Sequence, residues 1–161
     1  MSLFMDEELL RHVIENRIIE IIFENEEFIK EDFNVEIDEN PKNKILVRNK
    51  YSGGSKGKPI PHDTTIKYIK GKTFKHEGNY GLPFDIKKGE EPKISKKANT
   101  KANTSKLSKA DLKFIKTFVK DNEDDILKYW NLNPDIPSEK KQMEAIQDKI
   151  SDNYKIKTKK I

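Results

Sequence analysis

The chain has 161 residues, of which 34% are hydrophobic and 37% are charged, so it can form one domain with a lean apolar core. It contains no cysteine, which excludes disulfides, thiolate zinc sites and cysteine nucleophiles, and which fits a bacterial cytoplasmic protein. No apolar run reaches the ~18 residues that a membrane-spanning helix needs. The first residues also lack the basic region of a secretory peptide. We therefore expect a cytoplasmic protein without a membrane partner.

Charge is distributed unevenly along the chain. Residues 1–40 hold 3 basic and 13 acidic side chains, whereas residues 41–120 hold 21 basic and 6 acidic ones. This pattern suits either a polyanion that binds the basic middle or docking of the acidic head onto that middle. Lysine outnumbers arginine 29 to 3, which is also the amino-acid usage of an AT-rich genome. The lysine excess therefore has two explanations, one functional and one compositional.

The acidic head predicts an N-terminal helix over residues 6–24. Apolar side chains recur there at helical spacing, and three acidic residues at its start suit the positive end of the helix dipole. The β-branched run Ile18–Phe23 leaves a strand as the alternative. Residues 25–32 continue as a short second helix or a turn.

The middle of the chain predicts a small antiparallel sheet of roughly three to five strands. Residues 33–37 alternate apolar and polar side chains, and residues 44–48 do so more loosely, which together indicate a hairpin. The turn residues lie between them at 38–43. Residues 84–86 predict a further short strand.

A second hairpin is predicted over residues 64–78. Glycine at the first position of the Gly71–Lys72 loop favours a type II′ turn, so Ile69 and Phe74 are expected to pair across it.

Residues 87–106 predict a mobile low-complexity linker. They contain two copies of the run Lys-Ala-Asn-Thr, no aromatic residue, and only Ile94 as a large apolar side chain. Burial cannot offset the ordering entropy of such a segment. We therefore expect a helix plus sheet over 1–86, this linker, and a helical hairpin over 107–154, all in one folded unit.

The helical hairpin has the sharpest pattern in the chain. Ser108 and Asp111 have the spacing of a capping box, and Pro134 ends the helix near residues 131–133. A second helix is expected over 138–153, followed by a frayed basic tail. The side chains expected on the buried faces recur at helical spacing: Leu112, Ile115, Phe118, Val119, Asn122, Ile126, Tyr129, Trp130, Met143, Ile146, Ile150 and Tyr154. The predicted class is α+β, with an N-terminal helix, a small antiparallel sheet and two C-terminal helices packed on it.

Residues 107–131 resemble the C-terminal helix of a small uncharacterised bacterial family. The family pattern runs Leu-Pro-Lys-x-x-Leu-x-x-Ile-x-x-Phe-Ile, then Asn, then Leu-Leu-x-x-Trp. It is matched by Leu107, Leu112, Ile115, Phe118, Val119, Asn122, Ile126, Leu127 and Trp130. The family also has a Pro-Pro-His-x-His-Val strand, whose nearest counterpart here, residues 41–47, lacks both histidines. No function of those histidines carries over, and the resemblance implies a gene near toxin–antitoxin or mobile-element loci.

Candidate catalytic residues are few. The triplet Asp85-Ile86-Lys87 matches half of a magnesium-dependent nuclease signature. His62 and His76 could form an acid–base pair of the ribonuclease type. No two histidines have the spacing of metal ligands on a helix, so we expect neither a metal nor a cofactor.

Binding of RNA or DNA is the preferred function. The basic middle interleaves cations with aromatic rings, a combination that suits phosphate contacts and base stacking. The same alternation also fits strands with buried rings and solvated lysines. The expected nucleic-acid-binding residues are Lys44, Arg48, Lys50, Lys67, Tyr68, Lys70, Lys72 and Lys75.

Two alternatives to nucleic-acid binding remain. The first is a protein-interaction or inhibitor module whose acidic N-terminal segment binds a basic protein partner. The second is a nuclease that uses His62, His76 or Asp85.

Overall fold

The computed structural model describes residues 32–37, 40–52, 59–76 and 79–158. Its strands, in chain order, are β1 (Phe33–Ile37), β2 (Asn40–Val47), β3 (Thr65–Lys70), β4 (Lys75–His76), β5 (Asn79–Tyr80), β6 (Leu82–Asp85), β7 (Lys93–Ile94) and β8 (Lys155–Thr158). Six of them form an antiparallel sheet in the order β7-β6-β3-β2-β1-β8, and β4 and β5 form a separate hairpin. The α+β prediction is confirmed, but the sheet has more strands than expected. The predicted N-terminal helix lies outside the described residues.

Strand alternation explains the core face of the sheet. In the predicted first hairpin, Val35 pairs with Ile45, and Ile45 in turn pairs with Tyr68 of β3. All three side chains are fully buried, because residues paired across neighbouring strands point to the same face. Lys44 and Lys67 each precede one of these buried residues along a strand, so their side chains point to the opposite face. The first hairpin is therefore confirmed.

The predicted second hairpin is wrong in its pairing. Strand β3 pairs with β2 and β6, and the Gly71 turn leads instead into the separate β4–β5 hairpin. Phe74 is 1% exposed, and its carbonyl accepts a hydrogen bond from the Gly81 amide at 2.6 Å. Because the Phe74 ring is buried in the core, the chain after Gly71 does not pair with β3. Strand β6 pairs with that edge of β3 instead.

The segment 87–106 also differs from the expected linker. It contains β7, a 3-10 turn (Lys96–Ala98) and the short helix α1 (Lys101–Ser105). Ala98 is 1% exposed, and its carbonyl accepts a hydrogen bond from the Asn103 side chain at 2.9 Å. Pairing of β7 with β6, packing of Ile94 against the core and the buried Ala98 therefore tie this segment to the fold.

Two longer helices pack on the core face of the sheet. Helix α2 (Lys109–Asn131) begins at the predicted capping box, in which the Ser108 and Asp111 side chains each bond the other's backbone amide. Helix α3 (Pro137–Ser151) follows after a short turn. The predicted apolar faces are buried apart from Leu112 and Tyr154, which are half-buried. No helix among the described residues is both long and apolar enough to cross a membrane.

The predicted frayed tail contains a strand. Residues 155–158 form β8 and pair with β1, and Lys155 lies 3.5 Å from the Glu36 carboxylate. Alternating apolar and basic residues suit an edge strand, because lysine on an exposed edge discourages pairing with other chains.

Asn49, just after β2, anchors the end of α2. Its side chain is fully buried and donates to the carbonyls of Tyr129 at 2.8 Å and Leu132 at 2.6 Å. The next residue, Lys50, donates its amide to the Trp130 carbonyl at 3.0 Å. The last carbonyls of a helix lack their usual partners within the helix. The Tyr129 carbonyl also accepts from the Leu132 amide at 3.4 Å, so Asn49 adds a second, shorter bond there and supplies a donor to the Leu132 carbonyl.

Replacing Asn49 by alanine should destabilise the protein by about 2–3 kcal/mol, because buried carbonyls would lose their donors. Asn131→Ala is the matched control, since this exposed asparagine bonds the same helix end through the Leu127 carbonyl. The control should change the free energy of unfolding by less than about 1 kcal/mol. Urea unfolding followed by circular dichroism measures both. Equal losses in the two variants would contradict the anchoring role of Asn49.

Candidate anion-binding cleft

A cleft of about 550 Å³ lies where β2 ends and β3 begins. Among the described residues, its ionisable lining consists of four basic residues, Lys50, His62, Lys87 and Lys88, and one carboxylate, Asp63. A volume in this range is typical of small-molecule sites, which span roughly 300–1,000 Å³. The excess of cations makes the cleft suited to an anionic ligand.

Trp130 forms one wall of the cleft. The Asn49 anchor holds the last turn of α2, and the indole ring is only 3% exposed. The imidazole of His62 stacks on it with ring centroids 5.4 Å apart and planes at 29°. The guanidinium carbon of Arg48 lies 5.9 Å from the centre of the same indole. Two basic side chains therefore contact one buried aromatic ring.

The orientation of His62 is fixed on its other side by the backbone. Its Nδ1 lies 2.8 Å from the carbonyl oxygen of Asp63. A carbonyl only accepts, so Nδ1 must donate, and Nε2 is the ring nitrogen left for a ligand. The segment that carries His62 is tied to Lys50, whose carbonyl accepts from the Ile60 amide at 2.6 Å.

A β-turn carries Lys87 and Lys88, which both line the cleft. The Glu90 amide donates to the Lys87 carbonyl at 3.1 Å, and Gly89 has a φ of 77°. This positive φ is the conformation that the third residue of a type II turn requires, and it favours glycine. The Gly89 amide donates to the Glu123 carboxylate of α2 at 2.9 Å, which fastens the turn to the helix.

A buried ion pair lies behind Trp130. Asp32 is fully buried and Arg48 is 8% exposed, with 3.9 Å between Asp32 Oδ2 and Arg48 Nε. Asp32 Oδ1 accepts from the Asn49 amide and the Ser52 hydroxyl, and Arg48 donates to the Thr65 hydroxyl. Asp32 Oδ2 and Arg48 Nε themselves have no hydrogen-bond partner among the described residues. The pair is therefore incompletely satisfied although it is removed from water.

Burial sets the protonation of this pair. It raises the pKa of Asp32 to about 7, against the opposing effect of the Arg48 charge. Burial also lowers the pKa of Arg48, and the charge of Asp32 opposes this shift. As pH falls through 7, Asp32 loses its negative charge, and the region behind the cleft becomes more positive.

The structure separates the residues that were expected to bind nucleic acid. Of that set, only Lys50 lines the cleft, where it meets the catalytic candidate His62. The expected stacking role of Tyr68 is wrong, because its ring is fully buried and its hydroxyl donates to Asp111 at 2.5 Å. Lys70 is likewise bound to Asp111 at 2.8 Å. These two side chains link the sheet to α2.

The remaining members of that set are dispersed. Arg48 is buried in its ion pair rather than exposed for phosphate contacts, which corrects its expected role. Lys44 and Lys67 are half-buried on the sheet face opposite the core. Lys72 contacts the Tyr80 ring at 5.9 Å, and Lys75 is exposed. The interleaved pattern in the sequence therefore does not correspond to one surface.

The nuclease candidates do not form one site among the described side chains. Asp85 accepts a hydrogen bond from Ser95 at 2.6 Å and lines a separate hollow of about 70 Å³ with Lys87. The side chain of His76 lies outside the described part of the structure, so its pairing with His62 stays a prediction. Within the described ranges, no three His, Asp or Glu side chains are grouped as metal ligands.

Sequence reasoning missed Lys87 and Lys88 as partners of Lys50, and it preferred core packing over ligand stacking for Trp130. A local signal existed for the turn, since Lys-Lys-Gly-Glu directly follows a predicted strand. No local signal joins that turn to Trp130 or His62, because the three are brought together only by the tertiary fold.

No family model matches the chain, and neither a curated protein nor a solved structure is significantly similar to it. The resemblance of residues 107–131 to a bacterial family therefore stays a prediction, and the functional argument rests on the cleft itself.

The Asp32 titration predicts a pH-dependent stability. Because the folded pKa is raised, the folded state keeps a proton that the unfolded state loses between about pH 4 and pH 7. The contribution of Asp32 to the free energy of unfolding therefore falls as pH rises through that window. Asp32→Asn removes this loss, so its stability relative to wild type should rise with pH by up to about 1.4 kcal/mol per unit. Urea unfolding at a series of pH values measures this difference.

Asp111→Asn is the control for this titration. Burial acts to raise the pKa of Asp111, but hydrogen bonds from Lys70, Tyr68 and Ser108 hold it below its ordinary value. Asp111 is therefore ionised in both states above about pH 5, and its replacement should cost a constant amount there. A flat difference for Asp32→Asn as well would contradict the raised pKa.

Proposed function

We propose that the protein is a non-enzymatic binding module of the bacterial cytoplasm that contacts RNA or DNA through this cleft. The observation that supports the proposal is the one-sided charge of the lining, which has four basic residues against one carboxylate in the part of the chain that the structure describes. Phosphate groups are the anions that such a concave cationic surface attracts most generally.

The type of cation supports binding without sequence recognition. Lysine contacts phosphate as a point charge, whereas bidentate reading of guanine needs an accessible arginine. The part of the chain that the structure describes contains one arginine, Arg48. This side chain is buried and donates a hydrogen bond to Thr65. Affinity through Lys50, Lys87 and Lys88 would therefore come from the phosphate backbone and would be sensitive to salt.

The size of the cleft supports a single strand as the ligand. A space of about 550 Å³ can receive part of a flexible chain, but it is too small to enclose a duplex. Single-strand binding proteins combine cationic grooves with aromatic side chains, and this cleft has both kinds of residue.

The acidic-head alternative has less support from the described residues. Asp32 and Glu36 both belong to the head, and both are buried in ion pairs with Arg48 and Lys155 of this same chain. Binding of a basic protein partner through the remaining acidic residues stays a prediction.

The charge of the Lys87–Gly89 turn should control affinity. Lys87→Ala combined with Lys88→Ala is expected to weaken binding of labelled single-stranded RNA on the order of tenfold at low salt, because two phosphate contacts are lost. The slope of log affinity against log salt should become shallower by about 1.4, which is the value for two contacts on a single strand. Fluorescence anisotropy at several salt concentrations measures both quantities, with duplex DNA as the comparison.

The matched control is the double variant Lys140→Ala and Lys141→Ala. These two exposed neighbours lie on α3 and do not line the cleft. Both double variants remove the same net charge, so equal losses would show that only overall charge matters and would contradict the cleft. Absence of salt-sensitive binding in wild type would refute the proposed function. Cleavage of the probe, read on a gel, would instead support the nuclease alternative.

A further inference from the structure

We propose that His62 is a stacking platform for a nucleic-acid base, so that the cleft holds a single strand by a base as well as by its phosphates. This inference rests on the proposed function and specifies the ligand of the same cleft. It assigns His62 a binding role in place of the catalytic role that the nuclease alternative gave it.

The geometry of the two rings leads to this assignment. The imidazole and the indole of Trp130 are nearly parallel, and the indole is only 3% exposed. One face of His62 is thus covered by Trp130, whereas the residue as a whole is exposed and lines the cleft. The exposure of His62 must come from its other face and its edges. That face is a flat aromatic surface at the mouth of a cationic cleft.

The platform is held in place before any ligand arrives. His62 is fixed by the Trp130 ring on one side and by the Nδ1 contact to the Asp63 carbonyl at 2.8 Å. Trp130 in turn is fixed by the bond from the Lys50 amide to its carbonyl. A surface that is already ordered loses little conformational entropy on binding, which favours affinity.

The cations of the same cleft supply phosphate contacts next to the stacked base. Lys50, Lys87 and Lys88 line the cleft together with His62. Stacking tolerates any base because every base has an aromatic face. The ligand class is therefore single-stranded nucleic acid of mixed sequence, in which one base contributes roughly five- to a hundredfold in affinity.

Two single-stranded probes of equal length separate stacking from phosphate contacts. One is labelled oligothymidylate, and the other has the same phosphate backbone with abasic residues. Anisotropy titration of wild type should give at least about fivefold tighter binding of oligothymidylate. His62→Ala should abolish this preference, whereas His62→Phe should keep it because phenylalanine retains a flat ring without a charge. Lys87→Ala with Lys88→Ala should weaken both probes equally.

Trp130 provides an independent reading of the same event. It is the single tryptophan of the chain, so its emission reports on the cleft without a label. Oligothymidylate should change this emission more than the abasic strand does, and His62→Ala should remove the difference.

Each other outcome overturns the inference. Equal, salt-sensitive binding of the two probes by wild type would refute stacking and leave the proposed function standing. A preference that survives in His62→Ala would place the stacking elsewhere. Loss of the preference in both His62 variants would show that a flat ring at this position is not what binds the base. Absence of binding to either probe would refute the proposed function and this inference together.

Discussion

The buried amide of Asn49 is the interaction on which both the fold and the cleft depend. It bonds two carbonyls at the end of α2 from a position just after β2, and its own backbone amide donates to Asp32. The last turn of the helix is thereby fixed against the end of the sheet. Trp130 belongs to that turn, so the wall of the cleft is set by the same bonds that stabilise the helix terminus. The stability of the helix terminus and the position of the cleft wall therefore depend on one side chain.

The ion pair of Asp32 and Arg48 adds an electrostatic constraint to this corner of the molecule. Two charges with 3.9 Å between their nearest atoms are removed from water, and each keeps an unpartnered polar atom. Desolvation of such a pair can exceed the attraction between its members, which is why the pKa of Asp32 rises despite the neighbouring cation. Arg48 is buried beside the Trp130 ring, so its charge adds to the positive potential of the cleft although its side chain is not accessible from it. That potential is strongest when Asp32 is protonated, so it increases as the pH falls below 7.

Local sequence patterns predicted those parts of the fold that are stabilised locally. The capping box of Ser108 and Asp111 and the apolar stripe of α2 each involve residues a few positions apart, and both are confirmed. The first hairpin also forms between neighbouring segments. The pairing of β3 with β6 and of β1 with β8 was missed, because each joins segments whose own patterns are weak. Which strands pair in these two cases depends on segments that lie far apart in the sequence. A pattern within a short stretch of sequence therefore does not reveal the pairing.

The cleft was hard to predict for a related reason. Successive side chains of a strand point to opposite faces of the sheet. In a strand that alternates lysine with aromatic residues, the lysines therefore lie on one face and the rings on the other, as Lys67 and Tyr68 do in β3. Interleaving within a strand therefore argues against a shared surface of cations and accessible rings. Such a surface forms where loops and a helix end converge, since their side chains are not constrained to alternate. Lys50, His62 and Lys87 come from three different segments between the regular elements, and they line one cleft with Trp130 of the last turn of α2. The cationic lining of this cleft is therefore set by loops and a helix end, and not by the alternation of a strand.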